Sequence, residues 1–179
     1  MVRPADANET ADAWRVALTH TRGPVALVLT RQKLGFIDRH RYAAAAGVAK
    51  GGYTLAEASG GVPRAVLMSS GSEVALVLRA RERLEHLGVA SRVVSMPSLD
   101  LFARQPAEYR DSVLPPGTLR IAVEAAHPMS WHHWVGAGGI VLGIERFGAS
   151  APYERVFEEL GLTVEGIVTA VLRALGEER

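Results

Sequence analysis

The sequence has no cysteine, which excludes disulfides and thiolate-ligated metal sites. No apolar run approaches the roughly 20 residues that span a bilayer. The opening Met1-Val-Arg-Pro-Ala-Asp-Ala-Asn-Glu-Thr10 is polar and lacks the apolar core of a signal peptide. Neither sign of charge prevails: 20 Lys and Arg stand against 19 Asp and Glu, a net charge of +1. Without a basic excess nothing points to nucleic acid, and without an acidic tail nothing points to disorder. The expectation is a cytoplasmic protein with neither a nucleic-acid nor a membrane partner. Hydrophobic residues make up 48% and charged residues 22% of 179 residues. That length holds one medium domain, or a small domain plus part of another.

Near the start, Gly23-Pro-Val-Ala-Leu-Val-Leu-Thr30 is followed at once by Arg31-Gln32. A short, continuous apolar run of this kind predicts a strand buried on both faces of a parallel sheet. In open α/β sheets ligands sit beyond the carboxyl ends of the strands, so Arg31 stands where a strand would deliver it to such a crevice. Its planar fork of donors suits a phosphate or a carboxylate; the plain alternative is a surface ion pair. Upstream, Ala7, Ala11, Trp14, Val16, Ala17 and Leu18 follow a helical spacing. Asp6 with Glu9 three residues on fits a capping box. Helix, Gly-Pro turn and strand form one partial αβ unit, which cannot bury a core alone.

From Gly35 to about Gly61 the chain is rich in Gly and Ala and reads as a connection, with Gly51–Glu57 as an edge strand whose direction, antiparallel included, is left open. From Pro63 onward the pattern alternates. Strands are predicted at 64–69, 90–96, 119–124 and 139–145. Helices are predicted over 73–87, through Phe102 and Tyr109 with a break at Pro106, around 131–135, and over 156–160 and 164–175. The fold class is α/β: a mostly parallel, twisted sheet with helices on both faces.

Several constellations admit a chemical and a structural reading. Ser69-Ser-Gly-Ser-Glu73 follows a strand and opens a helix, so it suits an anion or, more simply, capping by Ser70 or Ser72. It is not a phosphate-binding P-loop, since no Gly-Lys-Ser/Thr follows. His127 and the pair His132-His133 lack the spacing of metal ligands. Glu124 ends a strand, but no neighbour in sequence partners it as a general acid. Phe147-Gly-Ala-Ser-Ala-Pro152 reads as a fixed loop, and no Gly-x-Ser-x-Gly elbow occurs.

Taken together, several runs resemble the carboxy-terminal domain of transketolases. These are Gly51-Gly-Tyr53, Ser70-Gly-Ser-Glu-Val74, Ser95-Met-Pro-Ser-Leu-Asp-Leu-Phe102, Tyr109-Arg-Asp-Ser-Val-Leu-Pro115 and Val123-Glu-Ala125. Trp131 with Val135-Gly136, and Arg146-Phe-Gly-Ala-Ser-Ala-Pro152, continue the series. Ahead of them Arg3-Pro-Ala-Asp6, Trp14 and Thr30-Arg31-Gln32 resemble the end of the family's pyrimidine-binding domain. The resemblance runs in order along nearly the whole chain.

It implies a division into 1–34, a remnant of the pyrimidine-binding domain; 35–62, a linker and first edge strand; and 63–179, the carboxy-terminal domain. It implies that Arg31 binds the substrate phosphate, because the arginine of the (Ser/Thr)-Arg-Gln motif does so in this family. The parent enzyme would move a two-carbon ketol unit between sugar phosphates, using thiamine diphosphate and Mg²⁺ or Ca²⁺, and would act as a homodimer. The Gly-Asp-Gly metal motif does not occur in this sequence. The resemblance therefore implies no catalytic, cofactor-binding or metal-binding residue here, and a chain that is silent without the remainder of a transketolase. A non-catalytic docking subunit of a split thiamine enzyme, or a related dihydroxyacetone or deoxyxylulose phosphate synthase, are the alternatives. Residues 1–34, lacking sheet partners, are expected to be poorly ordered or to bury Trp14 and the 25–29 strand in an improvised contact.

Overall fold

The apolar runs pair into one five-stranded sheet in the computed structural model, which describes residues 1–177. The strands are β1 (Tyr53–Ala56), β2 (Ala65–Ser69), β3 (Ser91–Ser95), β4 (Leu119–Val123) and β5 (Ile140–Leu142). Their order is β1-β3-β2-β4-β5, with β1 antiparallel to β3 and every other pairing parallel. The residues Ala65-Val-Leu-Met-Ser69 of β2 are all buried, as a central strand covered on both faces must be. Alternation within each strand then serves two cores. Ala65, Leu67, Val93, Ile121 and Val123 face one; Val66, Met68, Val94 and Ala122 face the other.

Helices close both faces. On the first lie α2 (Val74–His86), which buries Val77, Ala80 and Leu84, and α7 (Val164–Leu175), which buries Ile167, Val168 and Val171. Each such side chain contributes about 1.5–3 kcal/mol on burial. On the second lie α3 (Leu99–Ala103), α4 (Ala107–Val113) and α5 (His132–Val135), with Phe102, Trp131 and Trp134 at the centre of the core. The predicted break at Pro106 separates α3 from α4, because proline cannot continue the helix it follows. A further helix, α6 (Tyr153–Glu159), precedes α7. β5 is shorter than the predicted 139–145 strand. Past Leu142, Ile144 N–H still bonds across to the Ala126 carbonyl, outside the ladder.

The amino-terminal segment departs from expectation. α1 (Ala7–Thr19) forms with Asp6 as its cap, whose carboxylate accepts from the Glu9 backbone N–H at 2.8 Å. Its docked face is not the Trp14 stripe: Glu9 and Ala13 are buried, while Trp14 is 52% exposed. Val2, Ala5 and Asp6 are also buried, so the start of the chain is docked and not loose. The predicted 25–29 strand does not form. Among the described residues only Val2 pairs with it, through one parallel bridge to Leu27, and Val28 and Leu29 remain exposed. The Ser70 and Ser72 caps are also absent. Gly71–Glu73 forms a 3-10 turn into α2, and the Ser72 hydroxyl bonds the Glu73 carboxylate instead.

Candidate functional site

The chain passes from β2 to β3 on one side of β2 and then returns to β4 on the other. Order reverses between β2 and β4, and in open α/β sheets ligands occupy the crevice at that switch point. The loops after the two strands supply Glu73 and Glu124, both buried. The crevice is filled from within. The Arg3 guanidinium reaches both carboxylate oxygens of Glu124 at 2.6 Å and one oxygen of Glu73 at 3.4 Å. Trp131 Nε1 donates to Glu124 at 2.9 Å.

Backbone bonds hold Arg3 at this point. Its N–H donates to the Pro97 carbonyl after β3, and its carbonyl accepts from Gly71 N–H after β2. Burial tends to lower the Arg3 pKa, but the bond to Glu124 and the charges of Glu124 and Glu73 raise it overall. Burial pushes the Glu73 carboxyl up. Ser72 and Arg3 pull it back, and the charge of Glu124 adds to the rise.

A second buried network lies beyond β3 and β1. Glu9, with no exposed surface, accepts from Tyr53 Oη and Ser95 Oγ, each at 2.7 Å, and from Ala5 N–H at 2.8 Å. Burial raises the Glu9 carboxyl despite these three donors and the nearby charge of Arg39. Burial and then the Glu9 charge likewise hold the Tyr53 phenol far above its ordinary value. Arg39 donates to Tyr53 Oη and ion-pairs with Asp6 at 2.9 Å. The two networks bolt residues 3–9 onto the carboxyl edge of the sheet, so this edge is sealed and not a substrate crevice.

Arg31 is not brought to either network. It is exposed and, among the described residues, engages no carboxylate. The adjacent Thr30 hydroxyl donates to the Gln32 side-chain carbonyl at 2.7 Å, which folds the motif on itself. His127, His132 and His133 are exposed; His133 packs edge-on against Trp134. Among the described residues no group of three or more His, Asp or Glu side chains converges as a metal site. Glu73 and Glu124 do converge, but on a guanidinium. These residues do not fit a thiamine diphosphate–metal centre, and no step is derived through one. The Arg3–Glu73–Glu124 cluster was not legible as a unit, since its members lie 70 and 51 residues apart. The available signals were the arginine before Pro4, a glutamate directly after β4, and another four residues past the end of β2.

The domain so described, a mixed sheet with a filled switch-point crevice, matches a family model described as the transketolase-like C-terminal domain over residues 51–163. The chain therefore belongs to the transketolase-like C-terminal domain family. It is 48% identical to a transketolase of Geobacillus stearothermophilus over 99% of this chain and 27% of that protein. To a transketolase of Aquifex aeolicus it is 46% identical over 96% of this chain and 25% of that protein. A crystal structure of Pichia stipitis transketolase in complex with sedoheptulose-7-phosphate superposes with a TM-score of 0.88. It is 33% identical and covers 98% of this chain and 25% of that one. A split-gene transketolase, described as an inactive β4 tetramer, superposes with a TM-score of 0.74 over 99% of this chain and 58% of that one; at 24% identity the likeness is one of fold. The chain spans about a quarter of the length of the curated relatives it matches.

Proposed function

We propose that this chain serves as the carboxy-terminal part of a thiamine-diphosphate-dependent transketolase, a cytoplasmic transferase that moves a two-carbon ketol unit between sugar phosphates of the pentose phosphate pathway. In this reading residues 1–34 belong to the pyrimidine-binding domain, 35–62 connect, and 63–179 form the carboxy-terminal domain. The cofactor and its Mg²⁺ or Ca²⁺ are held by the remainder of the enzyme, a homodimer, and supply the carbanion chemistry there. This chain contributes Arg31, whose uncommitted guanidinium anchors a substrate phosphate, and does no chemistry alone. The observation that carries the reading is the 48% identity to the Geobacillus transketolase along 99% of this chain.

The test is complementation. This chain is produced with and without the portion of the Geobacillus enzyme that precedes the matched region, and ketol transfer between sugar phosphates is followed with thiamine diphosphate and Mg²⁺ present. Activity is expected only when both chains are combined. Activity of this chain alone would remove the claim that it is silent. A co-purifying but inactive pair would remove the transketolase reading.

A further inference from the structure

A cleft of about 450 Å³ opens between the strap 32–38, the outer side of α2 and α6. That volume lies within the range of small-ligand sites. Its charges are unevenly committed. Arg41 and Glu82 pair at 3.1 Å, the Tyr42 hydroxyl donates to the same Glu82 oxygen at 3.0 Å, and the Asp38 carboxylate accepts from His40 N–H at 2.9 Å. Asp38, bonded to that neutral N–H, keeps its charge; against it stand two cations, Lys33 on the strap and Arg79 on α2. Among the described residues neither has a carboxylate within ion-pair reach. They come from opposite walls, 46 positions apart in sequence, so nothing in the local chain dictates that they share one opening.

The apolar lining is aromatic. Tyr153 and Phe157 of α6 stand edge to face at 5.9 Å, and Phe36 on the strap is 82% exposed beside the cleft. A ring this exposed loses free energy to water unless a flat apolar surface covers it. Two uncommitted cations ask for a compact anion; exposed rings beside them ask for a planar group on the same molecule.

We infer that this cleft binds a nucleoside monophosphate, with Lys33 and Arg79 on the phosphate and the aromatic side chains of the strap and α6 against the base. The inference rests on the cleft alone and stands apart from the transketolase reading. Lys33 and Arg79 supply the charge, so binding needs no metal.

Isothermal titration of this chain with adenosine 5′-monophosphate, in the absence of divalent metal, tests it. Saturable one-site binding is expected, weakening as salt is added. Lys33→Ala and Arg79→Ala should each weaken it by about tenfold or more, by the energy of one charge-assisted hydrogen bond. Phe36→Ser should weaken adenosine 5′-monophosphate but leave ribose 5-phosphate unchanged. All three residues are exposed, and unchanged circular dichroism would show the variants folded. Absence of binding, binding untouched by both cation variants, or adenosine 5′-monophosphate binding no more tightly than ribose 5-phosphate or inorganic phosphate would each overturn the proposal.

Discussion

One nitrogen of the Arg3 guanidinium contacts both carboxylate oxygens of Glu124, each at 2.6 Å, across 121 residues of sequence. This bond occupies the place in the sheet where related α/β architectures hold a ligand. It makes the amino-terminal segment part of the domain's core electrostatics, and it leaves the adjacent Glu73 dependent on the same cation.

Removing that cation strands two buried carboxylates. Breaking a buried pair from one side costs about 3–5 kcal/mol, because the partner's desolvation is no longer offset. Arg3→Ala is therefore expected to destabilise the chain by about 3 kcal/mol or more in urea denaturation. Arg3→Lys should recover part of the loss, since a point charge replaces the fork that spans Glu124 and Glu73. A loss below about 1 kcal/mol for the alanine variant would show the cluster to be solvated.

Glu73 carries a pH signature. Burial, above all, raises its carboxyl from the ordinary 4.5, so folding favours the protonated form. The resulting stabilisation is fully present below the unfolded value and is lost as pH rises through the folded one. Glu73→Gln copies the neutral form and has no such term. Measured from about pH 4 to about pH 7, its stability relative to the unmodified chain should rise with pH. A difference that stays constant over that range would mean Glu73 titrates alike in both states.

Gly51 is a backbone requirement. Its φ is +81°, and a Cβ there would lie 2.3 Å from the Phe102 nitrogen and 2.4 Å from the Ser98 carbonyl oxygen. Gly51→Ala combines a left-handed alanine with a clash against backbone that cannot swing away. The expected loss is about 2 kcal/mol or more by chemical denaturation. Gly60→Ala, also at positive φ but in open space, should cost less, and equal losses would remove the role of the close approach.

Arg31 is tested in the complemented, active enzyme. A charge-assisted bond to phosphate is worth roughly 1.5–3 kcal/mol. The phosphate is remote from the reacting carbonyl, so the contact is largely uniform between ground and transition states. Arg31→Ala should raise KM for phosphorylated sugars roughly 10- to 150-fold with kcat much less changed, and unphosphorylated substrates should be indifferent. Arg31→Lys should restore only part. If the ratio of kcat/KM for phosphorylated against unphosphorylated acceptors is unmoved, Arg31 is a surface residue without this role.

The sequence by itself determined the α/β class, the four parallel strands and an edge strand within Gly51–Glu57, whose antiparallel direction the structure supplied. It also determined the break at Pro106 and the Asp6 cap. Each of these is local: apolar runs, helical spacing, a ring that forbids a hydrogen bond, a carboxylate three residues from an orphan N–H. Only the tertiary structure decided what the carboxyl edge of the sheet holds. Arg3, Glu73 and Glu124 are ordinary charged residues until the sheet order places two strand ends side by side and the chain start between them. Glu9 reads as the capping-box partner of Asp6 until Tyr53 and Ser95 close over it. The failed strand at 25–29 has the same cause. Its apolar run is a strand by propensity, but a strand exists only where a neighbour completes its ladder, and among the described residues one, Val2, pairs with it.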